Sequence, residues 1–243
     1  MRLISKAWIL LALLGLPDSA ARAAETGTYI EQEVIHEASQ GQPAARAIQR
    51  IWFTDKHIRA ETSFGEEDEV TLFDIARGRV LMLIADKRFV ELSLADYQRI
   101  VAMRLGRTGL DAPGEDVNLE QTGQKRTIGA WKCELFRYSQ GGRNALAIDL
   151  WVSQDAGLGF AAYLELMRRL GQEDTLGRLS DFADRVPGFP VELRIEQTVF
   201  GQKLVSTSRA RKIATGPTDP SLFELPAGYQ RLGAKDAIPG VKP

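Results

Sequence analysis

The chain has one cysteine, Cys133, and two histidines, His36 and His57. A lone cysteine excludes an intramolecular disulfide, so the fold must rest on its own core. Two histidines cannot build a histidine-rich zinc site. Neither H-E-x-x-H nor G-x-S-x-G occurs, which removes the local signatures of a zinc protease and of a serine-hydrolase nucleophile turn. No basic excess exists to drive binding to nucleic acid or to an anionic membrane surface: 31 basic residues stand against 32 acidic ones. No apolar run approaches the roughly 20 residues of a membrane-crossing helix.

What is present begins at the N-terminus. Arg2 and Lys6 precede the apolar stretch Ala7–Leu16, Pro17 breaks it, and Ala21-Arg22-Ala23 is a small-x-small cleavage site. Residues 1–23 read as a secretory signal peptide. No cysteine follows the cleavage site to carry a lipid anchor, so the expected location is the bacterial periplasm, in soluble form. The leader takes three basic residues and one acid, leaving 28 basic and 31 acidic residues in a mature chain of net charge −3.

The mature chain reads as short strands separated by turns. Thr28–His36, Ala47–Thr54 and His57–Thr62 come first, the last two joined at Asp55-Lys56. Gly65–Glu69 reads as an acidic loop. Val70–Ile75, Val80–Ala85 and Phe89–Leu92 complete a meander with turns at Arg77-Gly78 and Asp86-Lys87. Ser93 is an expected N-cap for a helix over Leu94–Leu105, with Asp96 in its first turn. Gly106–Gly114 reads as a loop. Strands are expected at Val117–Gln121, Thr127–Ser139 and Ala145–Val152, with Gly141-Gly142 as a hairpin turn. Helices follow at Leu158–Leu170 and Leu176–Val186, the second stopped by Pro187-Gly188-Phe189-Pro190. A last hairpin pairs Val191–Phe200 with Lys203–Ile213 across Gly201-Gln202. Short turns force antiparallel pairing, because a parallel crossover needs about a dozen residues or more. The expected class is α+β, mainly β: a curved antiparallel sheet of about nine to eleven strands with helices covering its concave face. No linker divides the chain, so residues 24–232 form one expected domain, with 233–243 a disordered tail.

Several motifs carry chemistry only on paper. Gly157-Leu158-Gly159-Phe160-Ala161-Ala162 has the spacing of a dinucleotide turn, but that turn works inside a parallel β-α-β unit. It reads instead as a glycine-rich entry to a packed helix. Glu66–Glu69 is a continuous acidic run, without the alternating oxygen ligands that calcium needs. Asp55 and His57 flank a turn without further ligands, and no metal is expected. Cys133 alternates with Trp131 and Leu135 and reads as a small core residue, the sharper alternative being a reactive thiol. Arg59 alternates with Ile58: if Ile58 faces the core, Arg59 faces solvent, and if the pleat is reversed, Arg59 enters the concavity and needs a partner.

Three local patterns carry a resemblance. They are the hairpin Trp52-Phe53-Thr54-Asp55-Lys56-His57-Ile58-Arg59-Ala60-Glu61, then Ile128–Glu134 with Leu150-Trp151-Val152-Ser153, and Phe223-Glu224-Leu225-Pro226-Ala227-Gly228-Tyr229. Together they resemble exported bacterial proteins of unknown function with a LolA/LolB/RseB-like half-barrel. The resemblance implies a cavity between the sheet and its helices that accepts acyl chains or a partner segment. Trp52, Arg59, Phe89, Trp131, Trp151, Phe160 and Tyr163 are the candidate lining, the alternative being that the aromatics are plain core. The expectation is a periplasmic binding or carrier-like protein holding a lipid, acyl chain or partner segment, without a cofactor. Two alternatives stand beside it: a non-enzymatic envelope interaction module with a filled core, and an envelope hydrolase in which His36 or His57 meets a Ser, Asp or Glu.

Overall fold

The computed structural model describes residues 25–39, 43–65, 67–104, 116–141, 145–172, 178–199 and 202–233. The leader, the tail beyond 233, the loop at 106–114 and residues Glu66, Gly142 and Gly201 of the expected turns lie outside the described residues. No described helix is long and apolar enough to cross a membrane.

Twelve strands form one open curved sheet. Chain order runs β1 (Glu25–His36), β2 (Ala45–Phe53), β3 (His57–Phe64), β4 (Glu67–Asp74), β5 (Arg79–Ile84) and β6 (Arg88–Ser93), then helix α1 (Leu94–Arg104). It continues through β7 (Val117–Ile128), β8 (Trp131–Gln140) and β9 (Leu146–Ser153) to helix α2 (Phe160–Arg169). A 3-10 helix at Leu179–Arg185 leads to β10 (Phe189–Val199), β11 (Gln202–Thr218) and β12 (Gln230–Leu232). The spatial order is β12-β6-β5-β4-β3-β2-β1-β11-β10-β9-β8-β7. The pairing of β1 with β11 joins the two meanders into one sheet.

Four expectations change. The strand count is twelve, not nine to eleven, and β12 is the addition. It pairs in parallel with β6 over three residues, too short to show a period in sequence. β7 runs on to Ile128, and the chain turns at Gly129 and Ala130, so Thr127–Ser139 is not one strand. Gly129 has φ +56, which favours glycine. The acidic run enters β4, where Asp68 and Glu69 pair with Ser63 and Thr62. The described part of the second expected helix is a 3-10 helix, interrupted by non-helical geometry at Phe182.

The meander strands bury both faces. Ile30 pairs with Ile51, and Ile51 with Ala60, on the face that receives the helices. Ile58, Phe73 and Val80 lie on it as well, each at most 2% exposed. There they join Tyr138, Ile148 and Leu150 of the second meander, with Phe160, Leu166 and Leu179, in one continuous core. Tyr97 of α1 meets Phe73 edge-on at 5.1 Å.

Both helix ends are sequence-encoded. Ser93 Oγ accepts from Asp96 N at 3.0 Å, the expected N-cap. At the end of α2, Gly171 takes φ +69; its N–H donates to Arg168 O and that of Gln172 to Met167 O, a Schellman closure. Arg169 also donates to Thr54 O and Asp55 O at 3.2 and 3.1 Å, tying α2 to the β2–β3 turn.

Arg169 shares Glu165 with Arg168. The hydrogen bond from Arg168 chiefly, opposed by partial burial and helped by Arg169, pulls the Glu165 carboxyl down to about 2. A lowered carboxyl contributes stability above its ordinary value of 4.5 and loses it as pH falls towards about 2. Glu165 is 41% exposed, so its contribution stays under about 1 kcal/mol. The melting temperatures of wild type and Glu165→Gln are therefore expected to differ slightly at neutral pH and to converge between pH 4.5 and about 2. A constant gap over that range would remove the ion pair as its cause.

Candidate functional site

The other face of the sheet carries its own apolar patch on the first meander. Alternation places Leu72, Leu81, Leu83 and Phe89 opposite Phe73, Val80, Met82 and Val90. All four are buried, because the segment after β11 crosses them as a strap. Asp219 starts the strap by accepting from Ser221 N at 2.9 Å, with Pro220 at the first position of the 3-10 turn Pro220–Phe223. Leu225 and Tyr229 pack on the patch, and Gln230 N donates to Lys87 O where β12 begins.

A cleft of about 740 Å³ lies between strap and sheet. Leu81 and Phe89 on the sheet and Phe223 and Leu225 on the strap give it apolar walls. Its polar end is a cross-strand row in which His57 pairs with Asp74 and Asp74 with Arg79. His57 stacks on Phe223 at 5.4 Å. Arg77 donates to Asp74 through Nη1 at 3.1 Å, and Arg79 through Nη2 at 3.4 Å. A second cleft, of about 540 Å³, sits at the far end of the sheet around Lys125, Arg126, Cys133 and Asp155.

The seven expected lining residues do not share one cavity. Phe160 and Tyr163 are buried on the helix side, their rings 6.0 Å apart, with Phe189 5.7 Å from Tyr163. Burial pushes the Tyr163 hydroxyl far above its usual range. Trp52 and Arg59 pair across strands on the strap side, and the Trp52 ring sits 4.9 Å from Tyr29. Burial, with the Glu31 carboxylate it donates to, pushes the Tyr29 hydroxyl up to about 12. Phe89 lines the strap cleft. Trp131 is half-buried beside Gly129. Trp151 is half-buried and carries the Arg126 guanidinium 3.9 Å above its ring. Arg126 and Arg209 close on the buried carboxylate of Glu192 from two sides.

Arg59 follows the first pleat reading, since Ile58 is fully buried on the helix side. It nevertheless is only 17% exposed, because the strap covers it. Its Nη1 donates to Leu222 O at 2.9 Å and its Nε to Glu61 at 2.7 Å, so it anchors the strap to β3. Cys133 is 3% exposed, and burial raises its thiol above the usual range, which favours the core reading. His36 is exposed at the end of β1, and His57 Nδ1 lies 3.9 Å from Glu25, beyond hydrogen-bond reach. Gly157 has φ +75 and Gly159 caps α2 between antiparallel strands, the helix-entry reading of that glycine pair.

A family model described as a domain of unknown function (DUF4412) matches residues 37–229. No curated protein matches the chain. Among solved structures it is similar to one of PNGF-II, at 10% identity and TM-score 0.36, covering 86% of this chain and 31% of that one. The chain thus spans about a third of the PNGF-II chain. It is similar to a LolA superfamily protein from Nitrosomonas europaea at 11% identity and TM-score 0.32, covering 84% of this chain and 91% of that one. It is also similar to a structure described as an outer membrane lipoprotein-sorting protein domain from Vibrio parahaemolyticus. That likeness has 7% identity and TM-score 0.33, and covers 81% of this chain and 88% of that one.

Proposed function

We propose that this chain, which belongs to the DUF4412 family, is a carrier-like binding protein of the bacterial envelope that performs no chemistry of its own. It holds an apolar chain, either a lipid acyl chain or a segment of a partner, and it reaches the periplasm through the leader read at residues 1–23. The observation that supports this reading is the strap cleft. Its volume of about 740 Å³ falls in the range of small-molecule sites, and its walls combine the apolar side chains of Leu81, Phe89, Phe223 and Leu225 with charged ones, Glu91 and Glu224 among them. The cleft lies on the strap side of the sheet. On the helix side, Phe160, Tyr163 and Phe189 pack on one another instead.

That aromatic packing favours the second reading, an interaction module with a filled core. The hydrolase reading has the weakest geometry, since His57 stands apart from Glu25 and stacks on Phe223. One experiment separates the first two. Full-length protein is matured in a bacterial periplasm, purified without detergent, and weighed by native mass spectrometry before and after adding dodecanol or dodecanoate. A stoichiometric apolar adduct is expected. A bare mass under all conditions overturns the binding reading and leaves the interaction module.

A further inference from the structure

The apolar wall of the strap cleft is covered. Leu81 and Phe89 line the cleft, yet they and their neighbours Leu72 and Leu83 are each at most 9% exposed, because Leu225 and Tyr229 lie on them. The rim is charged instead, with Glu25, Glu91 and Glu224 beside Lys56 and Arg77. An apolar chain gains little among such groups and would strip them of water. It can reach the wall only where Leu225 and Tyr229 leave it.

The two ends of the strap are held unequally. At its root, Thr218 pairs with Glu25 of β1, so the strap continues directly from the central ladder. Arg59, itself paired with Glu61, donates to Leu222 O at 2.9 Å, and Phe223 stacks on His57 at 5.4 Å. Glu224 N donates to Ser221 O at 3.2 Å and closes the 3-10 turn; from there the backbone is extended. Pro226, Ala227 and Gly228 are exposed. The far end is β12, which pairs with Arg88–Val90 over three residues. Arg231 is 64% exposed and reaches Glu91 only at 3.4 Å, and Leu232 packs on the small cluster of Val90, Leu92 and Ile100. A short terminal ladder with an exposed ion pair belongs to the low-stability part of a fold.

We propose that the strap is a hinged cover. It stays anchored at Leu222 and Phe223, pivots after Glu224, and lifts the segment from Leu225 to Leu232 away from β6. An apolar chain then takes the places of Leu225 and Tyr229 on Leu81 and Phe89. This rests on the binding reading above and adds the route by which the apolar wall is reached.

Two measurements on the full chain test it. By amide hydrogen exchange, the Gln230 N–H, which donates to Lys87 O, is expected to exchange about tenfold or more faster than the Leu222 N–H, which donates to Asp219 O. Equal exchange at the two positions overturns the hinge. The second measurement pins the far end. Gln230 and Arg88 are register partners, so the double variant Arg88→Cys/Gln230→Cys can close a disulfide across β12 and β6, with Cys133 buried away from it. In native mass spectrometry the oxidised double variant is expected to bind dodecanol about tenfold or more weakly than its reduced form, because the open state is no longer populated. The reduced form is expected to stay within about twofold of wild type. Equal binding by both forms overturns the proposal and leaves the binding reading intact. No adduct on wild type overturns the binding reading, and the exchange measurement then decides the hinge alone. Should the disulfide not form, exchange at Leu222 and Gln230 decides the hinge in the same way.

Discussion

Gly188→Ala is expected to destabilise the protein by at least about 3 kcal/mol, a fall of roughly 10 °C in melting temperature for a chain of this size. A Cβ at Gly188 would stand 2.3 Å from Ser153 O, 2.7 Å from Ser153 C and 2.9 Å from Gln154 N. All three are backbone atoms, so no side chain can swing aside. Ser153 is 1% exposed, and its Oγ accepts from Asp155 N, which fixes the turn that follows β9. Phe189 pairs with Ser153 at the start of β10 and carries the ring that meets Tyr163. Making room at Gly188 would therefore part β9 from β10 beneath the aromatic cluster. Gly216→Ala is the matched control. It sits in β11 with nothing within 4 Å of the new atom and no left-handed φ, so it is expected to be neutral or to stabilise by up to about 1 kcal/mol. Thermal melts of the two variants decide the point, and a shift of only a degree or two in Gly188→Ala would remove the proposed clash.

The residues that made the fold legible are those where local chemistry and tertiary need agree. Ser93 with Asp96 marks the start of α1, and the turns at Arg77-Gly78 and Asp86-Lys87 bound β4, β5 and β6. Asp86 and Lys87 take φ of 60 and 53, which shows how firmly the β5–β6 turn imposes its geometry. Where reading failed, the deciding contact was remote. Nothing in Gln230–Leu232 announces a strand; β6 supplies its partner. Asp68 and Glu69 look like loop by composition and become strand through pairing with β3. The candidate site was obscured in the same way. Arg59 faces away from the helices, as alternation with Ile58 allows, and becomes covered through a segment that begins 160 residues later, at Asp219. A signal for that cover was present. Leu72-Phe73, Val80-Leu81 and Phe89-Val90 place apolar side chains on both faces of the meander, which a sheet with one wet face does not do. Phe223, Leu225 and Tyr229, beyond the last long strand, are the side chains available to cover the second face.

Ending the chain at Thr218 is expected to cost about 5 kcal/mol, from the lost burial of Leu225 and Tyr229 and the partial exposure of Leu72, Leu81, Leu83 and Phe89. It also removes the acceptor that Leu222 O offers to Arg59 and leaves the β6 edge open where β12 had paired. The main helix-side cluster keeps its contacts, because its residues come from strands and helices before the strap, and on that side only the small group of Val90, Leu92 and Ile100 loses a neighbour, Leu232. The truncated chain should thus remain folded at low temperature while exposing an apolar patch. Chemical denaturation, with binding of an environment-sensitive naphthalene dye, measures both effects. Unchanged stability and no dye uptake would mean the strap is a passive tail, and the strap cleft would lose its standing as a site. A strap that contributes several kcal/mol yet leaves a cleft beneath it explains how one fold can combine a rigid helix-side core with an accessible site. The core fixes β3 to β6, those strands fix the row from His57 to Arg79, and the strap closes the apolar wall without filling the space under it.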